Sequence, residues 1–400
     1  MKRVICGVLA LALIGISGRL WAQGKFDLEN QESKSEKMSL SDEKVYIEFK
    51  EEKPSDLKAM PKGISDKLAY CQHQIEGKPL IFILDSGGEK AKLYIDTDMD
   101  GDLSDEKPKT GKPGLENEGE TNFDKVTIKV KVDGKETEIN IIPKVRIYEN
   151  RGYLFLKPGS VRVGKAKLGD KTYMVGLADS DIDGRYDSFM KGDWGDSDMM
   201  GIDLDRDGSI VRSYDNKSEV SPLMKMVKVD DSYYEVDIAT DGSSIEFKKA
   251  KKFGTLDIKS PELVSLGLLS TNGFFRLNKG EGGWQVPVGT YQTIYLALIK
   301  KDKDGIEWTL DGSRYGSEKL KALEIVEGKT TTISAGLPLV MKPDVQVNNE
   351  TVAINCNVIG KAGERYGGGA SKNGKTQPAP TFKIVDKDGK EIVSDSLKYG

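Results

Sequence analysis

Three stretches of the chain set aspartates at alternate positions and follow them with glycine: Asp96, Asp98, Asp100 and Gly101; Asp179, Asp181, Asp183 and Gly184; Asp203, Asp205, Asp207 and Gly208. In the first, "IDTDMDGDLSDE", six carboxylates fall within twelve residues. Alternate carboxylates in a tightly wound loop point at one centre, and the glycine permits the left-handed backbone that winds it. Without a counter-charge such a loop repels itself. A hard cation taking about six to eight oxygen ligands offsets the repulsion and fixes the loop, and calcium is the expected ion. Counted from the first aspartate, Asp102 and Ser104 fill positions 7 and 9 of the first loop, and position 12 is Lys107, so Asp105 and Glu106 are its nearest closing carboxylates. The second loop offers Arg185 at position 7, through its carbonyl, and Asp187 at position 9. The third has Ser209 at position 7, but Val211 and Tyr214 stand where oxygen ligands belong, so it needs help from Asp193, Asp196 or Asp198.

These D-x-D-x-D-G loops resemble the EF-hand-like calcium loops of dockerins, thrombospondin type 3 repeats and integrin-type β-propellers. Their β-rich setting resembles uncharacterised secreted bacterial proteins that carry such loops. The resemblance covers the loops, and more weakly residues 80 to 250. An EF-hand has helices on both sides and Glu at position 12; here apolar strand-like runs such as Leu93-Tyr94-Ile95 enter the loops. "DKDGIEW" at 302 and "DKDGKEI" at 386 have too few acids and read as plain hairpin turns.

Other motifs carry less. "GASKNGKT", residues 369–376, matches the phosphate-loop pattern, but Pro378 and Pro380 deny it the following helix whose amides would hold a phosphate. His73 is the only histidine, which excludes histidine-cluster metal sites and leaves any Ser-His or Cys-His nucleophile resting on one residue beside Cys71. With 64 acids, carboxylate pairs at sugar-hydrolase spacing carry no signal. Trp194, Trp284, Trp308 and Tyr315 are the aromatics to place for sugar stacking.

The elements that must position the loops read as strands. "KVTIKVKVDGKETEINII" is two alternating runs around Asp133-Gly134, and "MVKVDDSYYEVDIATDGSSIEF" repeats the logic around Asp241-Gly242. "SDLKAMPKGISDKLAYC" has room for a short helix or two. "PLIFILDSGGEKAKLYIDTDMDGDLSDE" and "TYMVGLADSDIDGRYDSFMKGDWGDSDMMGIDLDRDGS" each give strand, Asp-containing loop, strand and D-x-D-x-D-G loop, so residues 42–252 read as a duplicated calcium module, with an eroded loop at Asp85 in the first copy. Hairpin-spaced runs afterwards suggest two Ig-like or transthyretin-like β-sandwiches, residues 253–342 and 343–400, the second lacking an edge strand. The fold class is mainly β.

At about 100 to 200 residues per domain, 400 residues predict two to four domains. Lys2 and Arg3, the apolar run 4–17 and Leu20-Trp21-Ala22 read as a secretory signal cleaved after residue 22, and 23–41 reads as a flexible linker. No later run nears the roughly 20 apolar residues of a membrane span. The formal charge of −4, −7 without Lys2, Arg3 and Arg19, argues against nucleic acid as a partner. Cys71 and Cys356 read as two buried small residues, with a disulfide permitted by an oxidising compartment. The reading is an exported (periplasmic or extracellular), non-enzymatic scaffold with structural calcium; its rivals are a module binding a glycan or a cell-surface protein, and a secreted hydrolase.

Overall fold

Val126–Val132 alternates buried and exposed residues without a break, and a two-residue turn joins it to Lys135–Tyr148. Asp133 and Gly134 both take positive φ there, 47° and 78°, the geometry that matches the twist of paired strands. The computed structural model describes residues 24–33, 38–40, 44–114, 119–148, 151–191, 197–212, 218–278, 283–313, 320–348, 351–367 and 369–398. Among them the regular structure is strand with no α-helix, and no helix is long and apolar enough to cross a membrane. The short helices expected within residues 55–71 are turns followed by the strand Leu68–Ile75.

The first core lies between two sheets. Leu68–Ile75, Lys78–Asp85, Lys92–Ile95 and Lys109–Thr110 pair antiparallel in a four-stranded sheet. Beside it, Val45–Glu48, Arg151–Pro158, Lys135–Tyr148, Glu120–Asn122 and Lys112–Pro113 follow one another in a six-stranded sheet, which Val126–Val132 completes by pairing with Lys135–Tyr148. Leu80, Phe82, Leu93 and Ile95 meet Ile128, Ile141, Val145, Leu154 and Leu156 between them. Each such side chain, fully withdrawn from water, contributes about 1.5–3 kcal/mol.

An eight-stranded sheet runs in the order Val220–Pro222, Met199–Ile202, Lys171–Ala178, Ser160–Leu168, Gly24–Glu32, Ser244–Lys249, Ser232–Ile238, Met226–Val229. Residues 23–41 are therefore no linker where they are described: Gly24–Glu32 sits between Ser160–Leu168 and Ser244–Lys249, and Met38 and Leu40 are buried against Val161, Met199 and Ile210. The two stretches that read as copies do share a register. Phe82 faces Ile95 and Val175 faces Ile202, and the next residue's amide, Asp96 or Asp203, donates to Ile81 or Met174, each at 3.0 Å. The neighbouring strands match too: Leu68–Ile75, Lys78–Asp85, Lys92–Ile95 and Lys109–Thr110 follow one another as Ser160–Leu168, Lys171–Ala178, Met199–Ile202 and Val220–Pro222 do, the second set lying within the larger eight-stranded sheet.

Packing and strand pairing cross the expected boundaries near 252 and 343. Tyr233 and Ala250 share a core with Leu256, Leu266, Phe275 and Leu296, so packing is continuous across residue 252. Val340–Asn348 runs through the second boundary as the edge of a ten-stranded sheet that includes Leu263–Leu269, Gly289–Lys301 and Thr351–Ile359. Phe253–Ile258, Trp284–Pro287 and Thr330–Ile333 form a three-stranded sheet, and Thr381–Val385 and Glu391–Ser396 a two-stranded hairpin.

Candidate metal centres

All three aspartate loops wind the same way. Position 4 takes a left-handed conformation, at Met99 (φ 57°), Ile182 (57°) and Arg206 (62°), and so does the glycine at position 6, at 83°, 86° and 85°. A left-handed β-branched residue such as Ile182 is unusual enough to require support from its surroundings. That support comes from the first aspartate of each loop, whose two oxygens accept the amides of positions 5 and 6. Asp96 takes Asp100 N and Gly101 N at 3.1 and 3.0 Å, Asp179 takes Asp183 N and Gly184 N at 3.2 and 3.0 Å, and Asp203 takes Asp207 N and Gly208 N, both at 3.1 Å. The position 5 carboxylate then accepts the position 7 amide, from Asp102, Arg185 and Ser209 at 2.7, 2.8 and 2.7 Å.

The residue at position 8 anchors each loop to the body. Leu103, Tyr186 and Ile210 are buried in three different cores. Their backbones pair with remote segments: Leu103 N donates to Ala59 O, Tyr186 N to Thr240 O, and Ile210 O accepts Ser39 N.

This winding brings Asp96, Asp98 and Asp100 together, likewise Asp179, Asp181 and Asp183, and Asp203, Asp205 and Asp207; in each trio one carboxylate oxygen per residue lies within 4.8 Å of the others. Asp96, Asp179 and Asp203 are buried. Burial pushes the Asp96 and Asp181 carboxyls up to about 6, Asp183 adding repulsion at Asp181. Burial, then repulsion from Asp181 and Asp183, holds Asp179 well above the carboxylate range. Oδ1 of Asp181 is buried without a hydrogen-bond partner.

The remaining expected ligands divide. Asp102 accepts Ser104 N at 2.8 Å through its Oδ1, and hydrogen bonds from the Ser104 side chain and then its backbone lower its pKa. Asp187 is drawn away from the second trio: Arg185 Nε binds its Oδ1 at 3.1 Å and Thr240 Oγ1 its Oδ2 at 3.0 Å, while Arg185 also reaches Asp133 at 3.0 Å and Glu76 at 3.6 Å. The Arg185 side chain is thus a strut between loop and hairpin. In the first loop the closing carboxylate is Glu106 rather than Asp105: its Oε1 accepts Thr97 N at 2.7 Å and Thr97 Oγ1 at 2.6 Å.

That contact exposes a rule missed at the sequence level. In each loop the position 2 amide donates to a carboxylate returning from further along the chain. Ser180 N gives to Asp198 at 3.1 Å, and Leu204 N gives to Glu219 at 2.7 Å. Asp198 is fully buried and also accepts Ser188 N at 3.0 Å; burial first, then Asp179 and Asp181, raises its pKa strongly. So Asp198 serves the second loop, not the third, which Glu219 closes; Asp193, Asp196 and Tyr214 lie outside the described residues. Intervals of 9, 18 and 15 residues from position 2 follow no common spacing, which is why no pattern flagged Glu219.

Asp85, at the loop read as eroded, accepts Ser65 Oγ at 2.5 Å and Gly87 N at 3.1 Å and shapes a turn. The 302 and 386 segments are hairpin turns, Asp302 accepting Asp304 N and Ile306 N, and Asp386 accepting Asp388 N and Lys390 N. The phosphate-loop match is a hairpin turning at Asn373-Gly374. His73 Nε2 donates to Ile182 O at 3.0 Å, which ties the four-stranded sheet to the second loop, and burial lowers its pKa so that the neutral ring suits this bond. Cys71 and Cys356 are both free thiols. Trp284 and Trp308 donate to Asn278 O and Asp302, as structural side chains do, and Trp194 and Tyr315 lie outside the described residues. No family model matches the chain, and neither does any curated protein or solved structure.

Proposed function

We propose that the chain is an exported, non-enzymatic β scaffold in which calcium, held by the three loops, locks strands to distant segments. The observation that carries this is the second loop, where Asp179, Asp181 and Asp183 converge, Asp198 returns to the Ser180 amide, and a buried oxygen of Asp181 has no donor. A buried carboxylate oxygen without a partner costs free energy, and like charges at this distance add to it. A divalent ion removes both costs. Oxygen-only ligands in a flexible loop suit calcium better than magnesium, which demands a near-ideal octahedron and dehydrates reluctantly. Asp96, Asp98 and Asp100 would hold the ion in the first loop, Asp179, Asp181 and Asp183 in the second, and Asp203, Asp205 and Asp207 in the third; Glu106, Asp198 and Glu219 are the carboxylates that close them. Among the described residues, the acids that converge in threes all belong to these loops, which supports a structural over a hydrolytic reading. The leader-like residues 1–22 supply the argument for export, where calcium near 1 mM fits loops of ~0.1–1 mM affinity.

Calorimetry tests it. Calcium titrated into chelator-treated protein gives saturable heat at more than one site; no heat, together with no calcium retained after dialysis, overturns the proposal.

A further inference from the structure

We propose that the outward face of the six-stranded sheet binds a polysaccharide bearing uronic-acid carboxylates. The inner face of this sheet buries Val145, Leu154 and Leu156. Alternation turns the intervening residues outward, and the register sets them side by side: Tyr46 opposite Phe155, Arg146 opposite Tyr153, Tyr148 opposite Arg151. The Tyr46 and Phe155 rings stack at 6.2 Å and 27°, and Tyr148 and Tyr153 lie 6.1 Å apart. Phe155 and Tyr153 are neighbours on one strand face, about 6.7 Å apart, so the four rings form one row across three strands. Tyr46 is 67% exposed and Tyr148 52%.

The charges between the rings are set in advance. Buried Glu120 binds Arg146 at 2.9 Å and Lys144 at 3.3 Å, and the Arg146 guanidinium lies 4.6 Å from the Phe155 ring centre. Glu48 lies 3.7 Å from Arg151. Among the described residues around the ring row, Lys144, Arg146, Arg151 and Lys157 accompany Glu48 and Glu120, a local charge of +2 on a chain of −4.

Aromatic faces take the C–H faces of sugar rings, and the guanidinium fork suits planar carboxylates. A net +2 over four rings fits sparse carboxylates better than dense sulfation or a polyphosphate backbone. A protein partner would have to desolvate the ion pairs interleaved with the rings, at a cost their pairing does not return. None of these residues belongs to an aspartate loop, so the inference stands apart from calcium.

The test is affinity electrophoresis of the full chain in chelator, with polygalacturonate, neutral dextran, dextran sulfate or a single-stranded oligonucleotide in the gel. Polygalacturonate retards the wild type most, and the double variant Tyr46→Ala/Tyr148→Ala weakens this at least tenfold with an unchanged melting temperature. Arg151→Gln, at a side chain 69% exposed, weakens it severalfold. Absence of retardation, retardation indifferent to the tyrosines, or equal or stronger binding of dextran, dextran sulfate or the oligonucleotide overturns the proposal.

Discussion

Asp181→Asn separates a metal site from an ordinary polar turn, because in a metal site the variant's advantage in chelator is lost when calcium is added. The carboxyl is pushed up to about 6 by burial and by Asp183. Ionising it at pH 7 therefore costs the metal-free fold on the order of 3 kcal/mol relative to an unfolded aspartate. An amide of the same shape removes the charge and offers N–H donors to the neighbouring carboxylates, though it keeps part of the desolvation cost. A net gain of about 1–2 kcal/mol in chelator is expected, or roughly 2–8 °C in the melting temperature of a unit this size. With calcium that advantage is cancelled. At ~1 mM calcium and a ~0.1 mM dissociation constant the wild-type site gains about 1.4 kcal/mol, and the variant, one ligand short, gains little or none. Thermal scans in chelator and in calcium, with Asp304→Asn in the 302 turn as control, decide it. A variant that melts lower in chelator, or one that keeps the full calcium shift, refutes the reasoning.

Three further outcomes follow from the same geometry. In chelator, the raised carboxyls of Asp96 and Asp181 hold protons in the folded state that the unfolded chain releases above pH ~4, so their contribution is present at low pH and is lost as pH climbs towards 6; melting temperature should fall between pH 5 and 7 in chelator, and a rise would contradict the assignment. Gly184→Ala should cost about 2–4 kcal/mol by denaturant titration, since φ is +86° and a Cβ would meet Val132 Cγ2 at 2.8 Å, whereas Gly208→Ala, left-handed in open space, should cost only about 1 kcal/mol; equal losses would remove the packing argument. Hydrogen exchange after chelation should quicken at residues 38–40, 57–60 and 96–106 and stay unchanged at 302–306, a contrast lost if the loops do not hold those segments.

Strands with one buried face were legible because period two is written in side chains: Val126–Val132 shows it residue by residue. Gly24–Glu32 was not, since Leu28 is its one fully buried residue and its place between two neighbours rests on backbone hydrogen bonds, which leave no mark on sequence. Pro343 lies within an edge strand opposite Cys356, where a missing N–H is tolerated. The loop aspartates were readable because local winding fixes their spacing. Glu219 was not, because a carboxylate that only has to arrive at an amide can come from any distance. Leu103, Tyr186 and Ile210 left a usable signal, a large apolar residue two places after each loop glycine.

The returning carboxylates make each loop a clasp with a free-length strap. Between position 2 and its acceptor lie 8, 17 and 14 residues, and the contact is the same in all three. Past the anchor at position 8, the rest of that segment is relieved of any duty to the clasp beyond reaching it. Insertions there lengthen the strap at a slowly growing entropic cost, each doubling adding only about 0.6 kcal/mol. The length between anchor and returning carboxylate can therefore vary while the clasp stays shut.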